Sequence, residues 1–187
     1  MSQTKVAVGM LDGTGTPGSG NFLRGDGAWT AITTGFTSAT EQAVTSGTGV
    51  TFSSIPSGTK IIFVMFEKIS YTANTISTQI QIGDSGGIET SGYESNSRDE
   101  LNGDGLESTA AFITKRTSAA AEDHGTICLV LKDSANFTWN AFGMLADGTL
   151  EFNIMSGVKS LSAELTQLKV GTSGTFDGSG SVNIIYM

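Results

Sequence analysis

The sequence predicts an all-β protein: an antiparallel β-sandwich or jelly roll of about nine or ten short strands behind an extended, Gly-rich N-terminal arm. Three observations carry this expectation. Only 15% of the 187 residues are charged, against about 25% in an average domain, while 38% are hydrophobic. Glycine is abundant at 25 residues, and Ser with Thr supplies about a quarter of the chain. Finally, short apolar runs alternate with Gly/Asp turns, and no Ala/Leu/Glu/Lys-rich stretch suggests a helix bundle. The length fits one ordinary domain with a short appendage, enough for a core without disulfides.

Residues 1–35 form the arm. Gly13, Gly15, Gly18, Gly20, Gly25 and Gly27 surround Pro17 and leave few positions for a periodic apolar face. Each glycine adds conformational entropy that ordering must overcome. The segment is therefore expected to be extended and irregular unless it lies on another chain, with Phe22, Leu23 and Trp29 as its anchors.

Strands are expected throughout residues 36–187. Val50–Ser54 leads into the turn Ile55-Pro-Ser-Gly58. Lys60–Ser70 has β-branched and aromatic residues in both phases, as in a strand covered on both sides. Ile76, Ile80 and Ile82 alternate with polar residues, the pattern of a half-buried strand. Residues 84–110, rich in Gly, Ser, Asn and acids, read as a long loop or a pair of edge strands, and Ser118–Glu122 as one helical turn at most. Further strands are expected at Thr126–Leu131, Phe137–Leu145, Leu150–Met155, Val158–Leu165, Gln167–Val170 and Val182–Tyr186. Turns between them are marked by Lys132–Ala135, Asp147-Gly148, Ser156-Gly157 and Asp177–Gly180.

Charge and composition exclude several classes of function. Ten basic against eighteen acidic residues, a net charge of −8, and no basic run argue against nucleic acid as a partner. The single cysteine, Cys128, excludes an intrachain disulfide and reads as an inert buried residue within Thr126–Leu131. Met1–Met10 lacks the apolar run of a signal peptide, and the longest apolar run, Ile61–Phe66, is too short to cross a bilayer. The expectation is a protein made in a cytoplasm and not inserted in a membrane.

Most motif matches fail on context. Gly83-Asp-Ser-Gly-Gly87 contains a serine-protease nucleophile tetrapeptide, but the sole histidine, His124, follows Ser85 where chymotrypsin-like enzymes place it before. The stretch reads instead as a turn. Gly13-Thr-Gly-Thr-Pro-Gly18 has dinucleotide-loop spacing, yet Pro17 opposes the helix that such a loop must start. Arg24-Gly-Asp26 is too short a match to inform, and the sequon Asn136-Phe-Thr138 has no meaning in a bacterial host. Asp99, Glu100, Asn102, Asp104 and Glu107 gather oxygen ligands on one turn, but the EF-hand Glu is replaced by Ala111. A surface acidic loop is the favoured reading over a weak or inter-subunit cation site. No nucleophile, base and oxyanion site assemble, so neither an enzyme nor a cofactor is expected.

Two sets of segments resemble bacteriophage tail-fibre proteins. Gly15-Thr-Pro-Gly-Ser-Gly-Asn-Phe-Leu-Arg-Gly-Asp-Gly-Ala-Trp-Thr30 is similar to the "GTPS…FLRGDGTW" linker that precedes a distal fibre domain. The second set is Phe52–Phe66, Gln79–Gly83, Gly87–Tyr93 and Phe176–Tyr186; the last is similar to the "FDAGSINILYE" fibre ending, without its acidic residue. Gly18 and Gly20 depart from the usual Ser or Ala, and Ala28 from Thr.

The resemblance implies a homotrimeric, β-rich virion component at the particle surface. Residues 1–35 would join it to a tail adaptor or to the capsid, and the globular part would contribute to host adsorption. Neither a long shaft nor an obvious attachment domain is present, so a capsid decoration or vertex fibre remains the alternative. A carbohydrate-binding module is a further one, and it would need exposed aromatics. Trp139 alternates with Phe137 and reads as core, which leaves Tyr71 and Tyr93 as the candidate contacts for a host glycan or protein receptor.

Overall fold

The computed structural model describes residues 14–15, 21–31, 35–100, 103–114, 118–148 and 151–187. Gly13, Pro17, Gly18, Gly20, Asn102 and Leu150, which figure in the expectations above, lie outside them. The chain separates into two compact units, 1–35 and 36–187. Among the described residues there is no helix.

Within the first unit, residues 21–31 are more ordered than their glycine content suggests. Strands β1 (Asn21–Leu23) and β2 (Trp29–Ala31) pair antiparallel, with Leu23 opposite Trp29. Thr14 adds a parallel bridge to Ala28. The expectation of an irregular segment therefore fails over residues 21–31. Its physical reason is local: Asp26 accepts a hydrogen bond from the Ala28 amide at 3.1 Å, and Arg24 closes the turn through backbone bonds to Ala28 and Gly27.

The second unit is an antiparallel sandwich of unequal sheets. Its strands are β3 (Thr37–Ser38), β4 (Gln42–Ala43), β5 (Gly49–Phe52), β6 (Ile61–Ile69), β7 (Thr78–Asp84), β8 (Gly87–Ile88) and β9 (Tyr93–Asp99). There follow β10 (Gly105–Ser108), β11 (Phe112–Thr114), β12 (Asp123–Asp133), β13 (Thr138–Ala146), β14 (Phe152–Ser160), β15 (Gln167–Thr172) and β16 (Ser181–Tyr186). The large sheet runs β10-β9-β14-β13-β12-β6-β16-β3, with β4 also on β16, and the small one runs β11-β7-β15-β5, with β8 on β7.

Between the sheets lies one core. Ile62, Val64, Leu129 and Trp139 from the large sheet meet Ile80, Ile82, Leu168 and Val170 from the small one, all almost fully buried. Burying side chains of this size stabilises by roughly 1.5–3 kcal/mol each before entropy is counted. Trp139 sits in the core, as its alternation with Phe137 predicts.

Several local expectations change. Ser156-Gly157 is not a turn but the middle of β14, opposite Phe142 and Ala141 of β13. Glycine is needed there because a Cβ at 157 would stand 2.8 Å from the Glu94 carbonyl and from the Phe112 ring. It marks a close approach across the sheets, not a break. Strand β6 is fully buried on one face only; Ile61, Phe63 and Met65 on the other are half-buried. Residues 84–110 hold β8–β10, of which β10 is an edge and β9 an interior strand between β10 and β14. Residues 119–120 make a turn, with no helical turn in the described part of 118–122.

Replacing Gly157 by Ala should push Phe112 or β9 away, and the loss of stability should be about 1–3 kcal/mol. Urea denaturation checks this, and an unchanged midpoint would show that β11 has room to move.

Candidate functional site

The described residues that the sequence singled out fall on an exposed hairpin, between the two sheets and on the β7–β8 turn. In the first unit, the hairpin places Phe22 and Leu23 on its exterior at 47% and 38% exposure, while Trp29 is half-buried. All three proposed arm anchors thus fall on one paired strand turn. Arg24 and Asp26 form an exposed ion pair at 3.3 Å across the tip. Such a pair contributes little by itself, because water screens it.

Tyr71 and Tyr93, expected as exposed receptor or glycan contacts, are both buried, at 0% and 1% exposure. That expectation is corrected. Tyr71 stacks on Phe176 at 5.3 Å, and its hydroxyl shares a hydrogen bond with Thr78. Tyr93 reaches from the large sheet to the small one. Its hydroxyl accepts from the Ile82 amide at 2.8 Å and faces the Glu89 carbonyl at 3.0 Å. The ring meets Phe112 edge-on at 5.0 Å. Burial pushes its phenol pKa far up, so it stays protonated. Neighbouring Gly and polar residues suggested loops, but each tyrosine fills a site between layers and turns its hydroxyl to a buried partner.

Beside Tyr93 is a polar lock. Lys159, 5% exposed, pairs with Glu89 and lies 5.4 Å from the Tyr93 ring centre. Glu89 also accepts the Ser162 amide at 3.0 Å. Asp84 accepts the Ser162 hydroxyl at 2.6 Å and the Gly86 amide at 2.7 Å. Those two bonds, the hydroxyl first, hold the Asp84 carboxyl below its ordinary range. For Glu89, burial pushes upward, but the Lys159 bond and the Ser162 amide outweigh it and leave the pKa lowered.

The protease-like tetrapeptide thereby acquires a structural role. Asp84 and Gly87 pair across the two-residue turn Ser85-Gly86 that joins β7 to β8. A Cβ at Gly83 would stand 2.1 Å from the Gly87 carbonyl, so glycine is required. Ser85 is exposed on this hairpin in the small sheet. His124 is exposed near the start of β12 in the large sheet, its Nδ1 3.4 Å from the Glu122 carbonyl. Burial pushes the Cys128 thiol up. In the acidic stretch, Asp99 is fully buried in β9 and its amide donates to the Asp104 carbonyl at 3.0 Å. Among the described residues, no three or more His, Cys, Asp or Glu side chains group as a metal-ligand set.

One surface escaped the sequence reading. The outer face of the large sheet exposes Phe142 (52%), Met144 (46%), Phe152 (43%) and Ile154 (43%). Register places Met144 directly opposite Ile154 and Phe152 opposite Ala146. A shallow groove of about 260 Å³ runs alongside, between Ile154, Ser156, Asn96 and Arg98. The signal was present: β13 has apolar residues in both phases, Trp139, Ala141 and Leu145 inward, Phe142 and Met144 outward. A strand apolar in both phases presents apolar side chains to both faces of its sheet.

Compared with protein-family models, with curated proteins and with solved structures, the chain finds no match in any of the three.

Two predictions follow from the geometry around Tyr93. Tyr93→Phe leaves the Ile82 amide without its partner and should lower stability by about 1–3 kcal/mol in urea denaturation. Acid should weaken the lock. Both carboxyls titrate lower folded than unfolded, so their contribution is present above about pH 4 and is lost as pH falls through the folded values. A thermal midpoint followed from pH 6 to pH 2.5 should fall more steeply for the wild type than for Asp84→Asn/Glu89→Gln.

Proposed function

We propose that this chain is a bacteriophage virion protein, fibre-like and homotrimeric, joined to the particle through residues 1–35 and contributing to host adsorption. It has no catalytic role in this reading. It is made in the bacterial cytoplasm and ends at the virion surface, with other virion proteins and copies of itself as partners. The observation that carries the reading is the segment Gly15–Thr30, whose sequence resembles the fibre linker and whose described part folds as a hairpin in a unit separate from the sandwich.

Chemistry supports the same view. Phe22 and Leu23 stand outward on paired backbone, as apolar anchors for a groove in another protein would. An acidic chain of net charge −8 is repelled by packaged nucleic acid and stays soluble at high copy number. Receptor contact, in this reading, belongs to loops and outer faces, because Tyr71 and Tyr93 are committed to the interior.

Gold-labelled antibody against the chain, viewed on intact virions by electron microscopy, tests the proposal. Label clustered at the tail is expected. Label over the head would replace adsorption with capsid decoration, and particles without label would overturn the virion assignment. Phe22→Ala/Leu23→Ala should reduce incorporation into particles at least about tenfold if these side chains are anchors.

A further inference from the structure

We infer that copies of this chain associate through the outer face of the large sheet, centred on Phe142, Met144 and Ile154. This rests on the homotrimer reading above and adds to it the surface that does the work. In a chain of net charge −8, the outward positions of β13, β12, β6 and β16 in the two rows through Phe142 and Met144 carry no ionic side chain. Like-charged copies approach most easily through such a face.

Strands from β10 to β16 at about 4.8 Å spacing span about 30 Å, and five residues along a strand add about 17 Å. That footprint is on the order of 500 Å² before side-chain relief, approaching the roughly 800 Å² per partner of a standard interface. Its centre is aromatic and Met-rich, as interface cores are.

The rim of the face is charged. Arg98, exposed and opposite Ile154, makes no ion pair among the described residues. Glu94 and Glu107 are exposed on the same β9–β10 edge. The face therefore carries both signs at its border, so in a three-fold assembly one neighbouring copy supplies acids for Arg98 and the other an Arg98 for the acids. Among the described residues, no Lys or Arg stands in the two rows through Phe142 and Met144 from β13 to β16 to favour an anionic lipid surface.

Light scattering after size-exclusion chromatography tests this on the full chain. The wild type should be trimeric, and Phe142→Asp/Met144→Asp should elute as a monomer. Near-UV dichroism from buried Trp139 must be unchanged, which separates dissociation from unfolding. Arg98→Glu, at the rim, is the second variant, and should weaken association about tenfold at low salt and less at high salt. A trimer that persists in both variants with native dichroism overturns the assignment of this face and leaves the trimer standing. A monomeric wild type overturns both. A wild-type dimer that the double variant dissociates overturns the trimer and keeps the face.

Discussion

The hydroxyl of Tyr93 is the point on which the two layers of this protein depend. It begins in the large sheet and ends on the backbone of Ile82 in the small one. There it serves as a strand partner at the place where the short β8 leaves β7. A hydrogen bond from a rigid aromatic fixes both spacing and lateral register between the sheets, which dispersion among aliphatic side chains cannot do alone. Lys159, Glu89 and Asp84 then close over this point and tie down the β7–β8 hairpin and the residues after β14. Burying a Lys–Glu pair is a poor source of net stability, but once formed it penalises any arrangement that separates its members.

With the inner face settled in this way, the outer face of the large sheet is free to serve another purpose. Antiparallel sheets that meet water on one side show polar residues there. Strands β13 and β14 do so only partly: Asn140 and Ser156 are joined by Phe142, Met144, Phe152 and Ile154. The interior does not require this, since Trp139, Ala141, Leu145 and Met155 already face it. Side chains that the core does not need and water does not favour are those the proposed association would bury.

The fold was legible where period and punctuation agree. Ile80 and Ile82 alternate cleanly, and β7 lies where they place it; Gly148 turns as predicted, and the turn expected at Lys132–Ala135 comes two residues later, at 134–137, because β12 runs on to Asp133. Legibility failed where one residue type serves opposite ends. Glycine breaks strands when it turns the chain, but at 157 it lets Phe112 approach the sheet, and nothing local distinguishes the two uses. Tyrosine misled for a related reason. Polar neighbours in sequence said nothing about the hydroxyl's partner, which at Tyr93 lies eleven residues back in another sheet. The outer face was readable in principle, from the two apolar phases of β13. The core on one side of the sheet has room for only one of those two phases.

The hairpin poses the same question in miniature. Eleven residues with four turn-forming positions cannot bury Phe22, Leu23 and Trp29 against one another, since cross-strand neighbours on so short a ribbon cover one side at best. A two-stranded hairpin of this size is marginal alone in water. Its tip is shaped by backbone bonds from Arg24 and an Asp26 cap, so the turn is specified by sequence even where the strands are not sustained by a core. A segment with a defined turn and unspent apolar side chains is suited to completion by a partner. The ordering entropy is partly met in advance, and the remaining apolar area is still available to be buried. In the proposed role, that combination suits an attachment segment better than a passive tether, which needs neither a turn nor aromatic residues.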